Sequence, residues 1–100
     1  MYILLPMYSE DVQEASLVKL EDVKIWAQIL IEEGQVVEIL HAKEKDGFEN
    51  FSECVVVAND NEYVWPFMEL SMMVLVAHTQ RSIDDIVEAY LFKELHDLAY

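Results

Sequence analysis

Two uninterrupted apolar runs in the second half of the chain constrain the fold more than any other feature. They are Cys54–Ala58 and Met72–Ala77. Neither run alternates with polar residues, which is typical of strands covered on both faces. The segment between them, Trp65–Leu70, predicts a short helix because Pro66 suits only its first turn. A strand, a helix and a strand in this order predict parallel pairing in an α/β sheet.

An alternating segment in the first half predicts an antiparallel hairpin. Apolar residues occupy every second position of Val23–Ile31, which is the pattern of a half-buried strand. A turn is predicted at Glu32–Gln35, where Gly34 is free to take a positive φ. The chain then returns as a partner strand over Val36–Ala42.

The chain is predicted to begin with a strand and to end with a helix. The strand covers Tyr2–Leu5 and is expected to end at Pro6. Ser82 is a predicted N-cap, and two aspartates follow it in the first turn, where the helix dipole favours acids. An apolar stripe at helical spacing extends this last helix to Leu98. The stripe consists of Ile83, Ile86, Val87, Tyr90, Leu91, Leu95 and Leu98.

These elements predict a single domain over residues 1–100. A chain of this length has room for one hydrophobic core. The predicted fold is α/β, with a mixed five-stranded sheet. An antiparallel hairpin lies at one side of this sheet, and a β-α-β-α unit forms the C-terminal half.

The charge of the chain excludes several classes of partner. It has 20 acidic against 6 basic residues, a net charge of −14. Such a charge repels phosphate backbones and anionic membrane surfaces, so we expect neither nucleic acid nor membrane as a partner. One cysteine allows no internal disulfide, and the N-terminus lacks the basic region of a signal peptide. We therefore expect a cytoplasmic protein.

Three segments resemble the dinitrogenase iron–molybdenum cofactor-binding family. They are the hairpin VKIWAQILIEEGQVVEIL, the strand FSECVVVAND and the tail MMVLVAHTQRSIDDIVEAYLFKEL. The resemblance covers most of the chain and implies a ribonuclease H-like fold. It also implies a small non-enzymatic binding or accessory protein, with a metallocluster as the ligand class.

The chain departs from this family where a cluster would bind. Family members often carry a His-Phe-Gly segment after the first strand and glycines after the central strand. Here those regions read DVQEASLVKL and ANDNEY, and the only glycines are Gly34 and Gly47. A backbone that approaches an anionic cluster needs glycine and exposed amides. These departures argue against a bound cluster, and the sequence identifies no other cofactor.

Two polar loops follow the predicted parallel strands and form the candidate ligand site. Ligands in open α/β sheets bind outside the carboxyl ends of the strands. The loops Asn59–Glu62 and His78–Arg81 start at those ends. The alternative is that both loops only turn the chain and cap helices. The candidate ligand-binding residues are Asn59, Asp60, Asn61, His78, Thr79 and Arg81.

No constellation for catalysis or metal binding is visible in the sequence. His78 could bind a metal with Asp60 and Glu62, but no His-x-x-x-His or Cys-x-x-Cys spacing supports this, and no metal site is predicted. Cys54 starts a buried strand without a nearby base, so a core role is favoured over a nucleophile. Nucleases with a ribonuclease H-like fold place acids on the first strand, and MYILLPM has none. We expect the protein not to be an enzyme.

The tryptophans are candidates for a protein-binding surface. Trp26 falls on the polar face of the first hairpin strand, and Trp65 begins the short helix. If exposed, aromatic groups of this kind indicate a protein partner or a homodimer, and the alternative is that they pack in the core. The alternative function is therefore an acidic protein–protein interaction module without a small ligand.

Overall fold

The computed structural model describes residues 1–98, which form a mixed α/β structure with a six-stranded sheet. Two α-helices and a short 3₁₀ turn at Leu20–Asp22 accompany the sheet. The strands are β1 (Tyr2–Met7), β2 (Ile25–Glu32), β3 (Gln35–Ala42), β4 (Cys54–Val57), β5 (Met73–Val76) and β6 (His96–Asp97), and the helices are α1 (Trp65–Glu69) and α2 (Ile83–Leu91).

The strand order is β3-β2-β1-β4-β5-β6. β1, β4 and β5 run parallel to one another, whereas β2, β3 and β6 pair antiparallel to their neighbours. The predicted mixed sheet, with a hairpin at one side and a parallel unit in the second half, is confirmed. The predicted number of five strands is wrong, because β6 adds a sixth. The ribonuclease H-like assignment stays a prediction.

The hairpin turn has the backbone conformation that its sequence predicts. Glu33 and Gly34 both take positive φ, at 53° and 77°. Positive φ at both residues of a two-residue loop is the pattern of a type I′ turn, whose twist matches that of antiparallel strands. The pairing is regular from Glu32 inward except for a bulge between Leu30 and Ile31.

Trp26 is buried, so the predicted exposure of this side chain is wrong. Only 7% of its surface is exposed. Its ring lies 6.1 Å from the ring of Phe67, measured between centroids. The alternation in β2 indicated one polar face, but Phe67 of α1 covers Trp26 on that face. Asn50 and Ser52 cover Gln28. Trp26 therefore stabilises the core and is removed from the candidate partner surface.

β1 continues through Pro6, where the sequence predicted an end. Proline lacks the N–H that a central strand needs. The parallel pairing of β1 with β4 covers only Ile3 and Leu4, so Pro6 lies beyond that ladder. On the side of β2, Pro6 stands opposite Trp26. The Pro6 carbonyl accepts a bond of 3.0 Å from the Val18 N–H.

The last helix ends at Leu91, seven positions before its predicted end at Leu98. Lys93 takes a positive φ of 58° just past the helix. The Glu94 N–H donates to the Ala89 carbonyl at 2.8 Å, and the Lys93 N–H donates to the Tyr90 carbonyl at 3.1 Å. These two bonds form a Schellman motif, which turns the chain back to form β6. The sequence does not mark this end of the helix, because Lys93 occupies the position after the C-cap that glycine usually takes.

Apolar side chains cover both faces of the sheet. On the face that carries α2, the core includes Ile3, Leu5, Met7, Ala27, Ile29, Cys54, Val56, Ile83 and Ile86. On the face that carries α1, it includes Leu4, Trp26, Val55, Val57, Val64, Phe67, Met72 and Val74. In the part of the chain that the structure describes, no helix has the length and apolar composition needed to cross a bilayer.

Candidate functional site

The two predicted loops start side by side at the carboxyl edge of the sheet. Val57 and Val76 are paired at the ends of β4 and β5, and the Ala77 N–H donates to the Val57 carbonyl at 2.9 Å. The parallel neighbours that the sequence predicted are therefore present. Beyond the strand ends, the conformation of each loop is held by one charged side chain, Glu62 in the first loop and Arg81 in the second.

Glu62 is held by the backbone of its own surroundings. One carboxylate oxygen accepts from the Ala58 N–H at 2.9 Å and the Asn59 N–H at 3.1 Å, and the other accepts from the Leu20 N–H. The Asn59 side-chain oxygen accepts from the Asn61 N–H at 3.0 Å. These bonds make the loop a tight turn that is tied to the 3₁₀ segment. The Glu62 carboxylate is thus occupied by main-chain donors.

The guanidinium of Arg81 is bound by backbone carbonyls of the second loop. Its Nη1 donates to the carbonyls of Ala77 at 2.7 Å and Gln80 at 2.8 Å, and its Nη2 donates to the His78 carbonyl at 3.2 Å. Carbonyl oxygens left without partners at a strand end need such a donor. The guanidinium therefore fastens the loop around itself.

The chain after β1 folds across this edge. Met7 and Leu17 form an antiparallel bridge, and the Leu17 N–H donates to the Arg81 carbonyl at 2.7 Å. Ala15 and Leu17 are buried in the core beneath α2. This segment corresponds to the region after the first strand in which the sequence lacks a His-Phe-Gly motif. The side chains of Ala15 and Leu17 close that part of the sheet edge.

The histidine of the second loop does not join the acids of the first. His78 is exposed, and its ring centroid lies 5.9 Å from that of His96. Thr79 and Asp60 are also exposed. Within residues 1–98, no group of three or more His, Cys, Asp and Glu side chains is placed to hold a metal ion. The hypothetical set of His78, Asp60 and Glu62 is not assembled.

A polar cleft remains beside the first loop, and we call it the edge cleft. It has a volume of about 480 Å³. It brings Asn59 and Asn61 together with Tyr63, which is 74% exposed, but it does not include His78, Thr79 or Arg81. The candidate site is therefore divided. The edge cleft is lined by Lys19, Leu20, Glu21, Asn59, Asn61, Glu62 and Tyr63.

A second cleft lies at the opposite end of the parallel strands, and we call it the apolar cleft. Its volume is about 370 Å³. The sequence pattern predicted Phe48–Glu53 only as the segment that leads into β4. The two phenylalanines in this otherwise polar loop could have indicated an apolar surface. The apolar cleft is lined by Leu4, Lys45, Asp46, Phe48, Glu49, Asn50, Phe51, Ser52, Phe67, Leu70 and Met72.

The Cys54 thiol lies fully buried at the start of β4. Burial raises its pKa from 9.0 to about 12, and the nearby carboxylates of Asp97 and Glu53 add to the rise. A nucleophile needs a lowered pKa and access to its substrate. The environment of Cys54 is therefore that of a core residue, as the sequence indicated.

The stability of the protein is expected to fall as the pH rises above 9.0 because of Cys54. The unfolded chain releases this proton near pH 9.0, whereas the folded protein holds it to about pH 12. Ionisation thus favours the unfolded state within this window, by about 1.4 kcal/mol per pH unit. Urea unfolding of wild type and Cys54→Ala across this range measures the effect. Parallel pH profiles for the two proteins would contradict it.

Two solved structures share this fold over nearly the whole chain. The crystal structure of PH0822 matches with a TM-score of 0.75 at 12% identity, covering 98% of this chain and 96% of that one. A Methanocaldococcus jannaschii structure, described as a "putative dinitrogenase (mj0327)", matches with a TM-score of 0.76 at 13% identity, covering 99% and 95%. No protein-family model and no curated protein sequence matches the chain. At these identities the likeness establishes a common fold and nothing finer.

Proposed function

We propose that this chain is a non-enzymatic accessory protein that acts by binding another protein. One observation carries the proposal: among residues 1–98, five aromatic side chains are more than half exposed. Tyrosine and tryptophan are enriched in protein interfaces, where they supply large contact areas at low entropic cost. The exposed fractions are 63% for Tyr8, 60% for Phe51, 74% for Tyr63, 53% for Trp65 and 71% for Phe92.

The charge of the chain indicates the character of the partner. A net charge of −14 creates a field that attracts basic surfaces and accelerates their association at low ionic strength. The same field opposes the pairing of two copies of this chain. We therefore favour a basic protein partner over a homodimer.

A cofactor carrier is the second candidate function. The fold shared with the Methanocaldococcus jannaschii protein favours it, as does the family resemblance of the sequence. The contacts of Glu62 and Arg81 oppose it, because both charged groups are held by their own loops. Asn59 and Asn61 of the edge cleft, or His78 of the second loop, would be the residues left to contact such a ligand.

Partner retention by single variants tests the first candidate. Each of the five exposed aromatic residues is replaced by serine, and the tagged proteins are isolated from the source cells at low ionic strength. We expect wild type to carry a stoichiometric partner. At least one variant should retain about tenfold less of this partner, as for an interface hot spot. His78→Ala is the matched control from the candidate cofactor loop and should retain the partner.

Two results would contradict this proposal. Wild-type protein that carries no stoichiometric partner would remove its basis. Retention by all five aromatic variants would show that the exposed aromatic groups are not used. Iron or molybdenum that is present in wild type and lost in His78→Ala would favour the cofactor carrier instead.

A further inference from the structure

The apolar cleft combines a buried floor with exposed apolar walls. Leu4, Phe67 and Met72 are 2%, 3% and 7% exposed and form the floor. Phe51 and Leu70 are 60% and 49% exposed and stand at the sides. Water-exposed apolar groups that meet over a concave floor are typical of a site for another apolar group. This arrangement distinguishes the cleft from the scattered exposed residues elsewhere.

The wall of this cleft is fastened to the sheet by a buried side chain. Gln28 on β2 is 1% exposed, and its amide nitrogen donates to the Asn50 carbonyl at 2.9 Å and the Ser52 hydroxyl at 2.8 Å. The backbone of the same loop is also tied to β1 and β5, through bonds of 3.0 Å that join Glu53 to Tyr2 and to Met73. The cleft is therefore formed before any partner arrives, which lowers the entropic cost of binding.

Acids surround the cleft and define the charge of what it can accept. Asp46 and Glu49 belong to its lining, against a single base, Lys45. Glu53 and Glu69 are exposed on the chain segments that bound it. Together with the net charge of −14, these groups repel an anionic ligand and attract a cationic one.

We infer that the apolar cleft binds a lysine- or arginine-rich amphipathic segment of a partner protein. A large apolar side chain of that segment enters between Phe51 and Leu70, and its basic residues face Asp46 and Glu49. Apolar anchors supply most of the affinity in such interfaces, and the surrounding charges supply orientation and rate. This inference rests on the proposed protein-binding function and assigns it a place and a partner chemistry.

Chemical-shift mapping by NMR tests this inference on the intact protein. The probe is a synthetic amphipathic peptide of leucine and lysine, titrated into isotopically labelled protein. The largest shifts are expected at Phe48, Phe51, Leu70 and Met72. Phe51→Ser and Leu70→Ser are expected to weaken binding about tenfold or more. Both side chains are substantially exposed, so the variants should keep the fold.

Matched controls separate specific binding from attraction by charge alone. Val37→Ser removes an apolar side chain that is 58% exposed on β3 and lies outside the cleft, and it should leave the affinity unchanged. A peptide of lysine without leucine should bind far more weakly. Equal binding by this peptide, or equal weakening by Val37→Ser, would overturn the inference.

The position of the shifts distinguishes this inference from the proposed function. Shifts centred on Asn61 and Tyr63 would place protein binding at the edge cleft and would refute the apolar cleft as the site, while the general function stands. No binding of the amphipathic peptide by wild type would also overturn the inference. The partner-retention experiment decides the general function independently of the peptide.

Discussion

Replacing Glu62 with alanine is expected to lower the free energy of unfolding by about 3 kcal/mol. The carboxylate accepts from the backbone N–H groups of Leu20, Ala58 and Asn59. Hydrogen bonds to a charged group contribute about 1.5–3 kcal/mol each, and donors left unpaired add a desolvation penalty. Because Glu62 is only partly buried, water replaces part of the loss, and the expected total of about 3 kcal/mol stays below the sum of the three bonds.

Urea unfolding measures this effect, and the same loop provides the control. Asp60 is an exposed acid two positions away, so Asp60→Ala removes an equal charge and is expected to change stability by less than about 0.5 kcal/mol. The dependence of the free energy on urea should be unchanged in both variants. Equal stability of Glu62→Ala and Asp60→Ala would show that Glu62 does not hold the turn, and its carboxylate would again be a candidate ligand group.

Replacing Gln28 with alanine is expected to cost about 3 kcal/mol and to free the wall of the apolar cleft. The substitution removes both bonds to Asn50 and Ser52 and leaves a cavity at a position that is 1% exposed. Truncations of buried apolar side chains of this size cost about 2–5 kcal/mol. The loss of two hydrogen bonds is partly offset because the Gln28 Oε1, buried without a partner in residues 1–98, is removed as well. Hydrogen exchange of the backbone amides in residues 43–52 should accelerate more than exchange in β4. Peptide binding at the apolar cleft should weaken as well.

Two further variants separate the hydrogen bonds from the volume. Gln28→Met keeps the length of the side chain but removes its amide, so it is expected to release residues 43–52 with a smaller loss of stability. Gln35→Ala removes the same side-chain type from an exposed position on β3 and should affect neither quantity. Unchanged exchange of residues 43–52 in both Gln28 variants would contradict the account of the cleft wall.

The sheet could be predicted from the sequence because its strands differ clearly in hydrophobic pattern. The continuous runs ending at Ala58 and Ala77 became the parallel pair, and the alternating segment with Gly34 became the hairpin. The exposure predicted for Trp26 was wrong because alternation identifies the two faces of a strand but not what covers each one. The end of α2 was missed because Lys93 adopts a conformation that the sequence does not mark.

The contacts at the candidate site could be predicted only in part. The adjacency of the two loops follows from parallel pairing, so their place at the carboxyl edge was accessible. The bond between Glu62 and Leu20 was not accessible, because the two residues lie 42 positions apart along the chain. The same limit applies to the apolar cleft, which assembles Leu4, Phe51 and Leu70 from three distant segments.

Native mass spectrometry of the wild-type protein, isolated without air from its own cells at low ionic strength, tests the central claim most directly. The claim is that this chain acts through protein contacts, with the loops at the carboxyl edge holding the fold together. The expected result is a complex of the chain with a second, basic polypeptide and no additional inorganic mass. A chain that carries the mass of a metallocluster, or a bare chain without any partner, would contradict it.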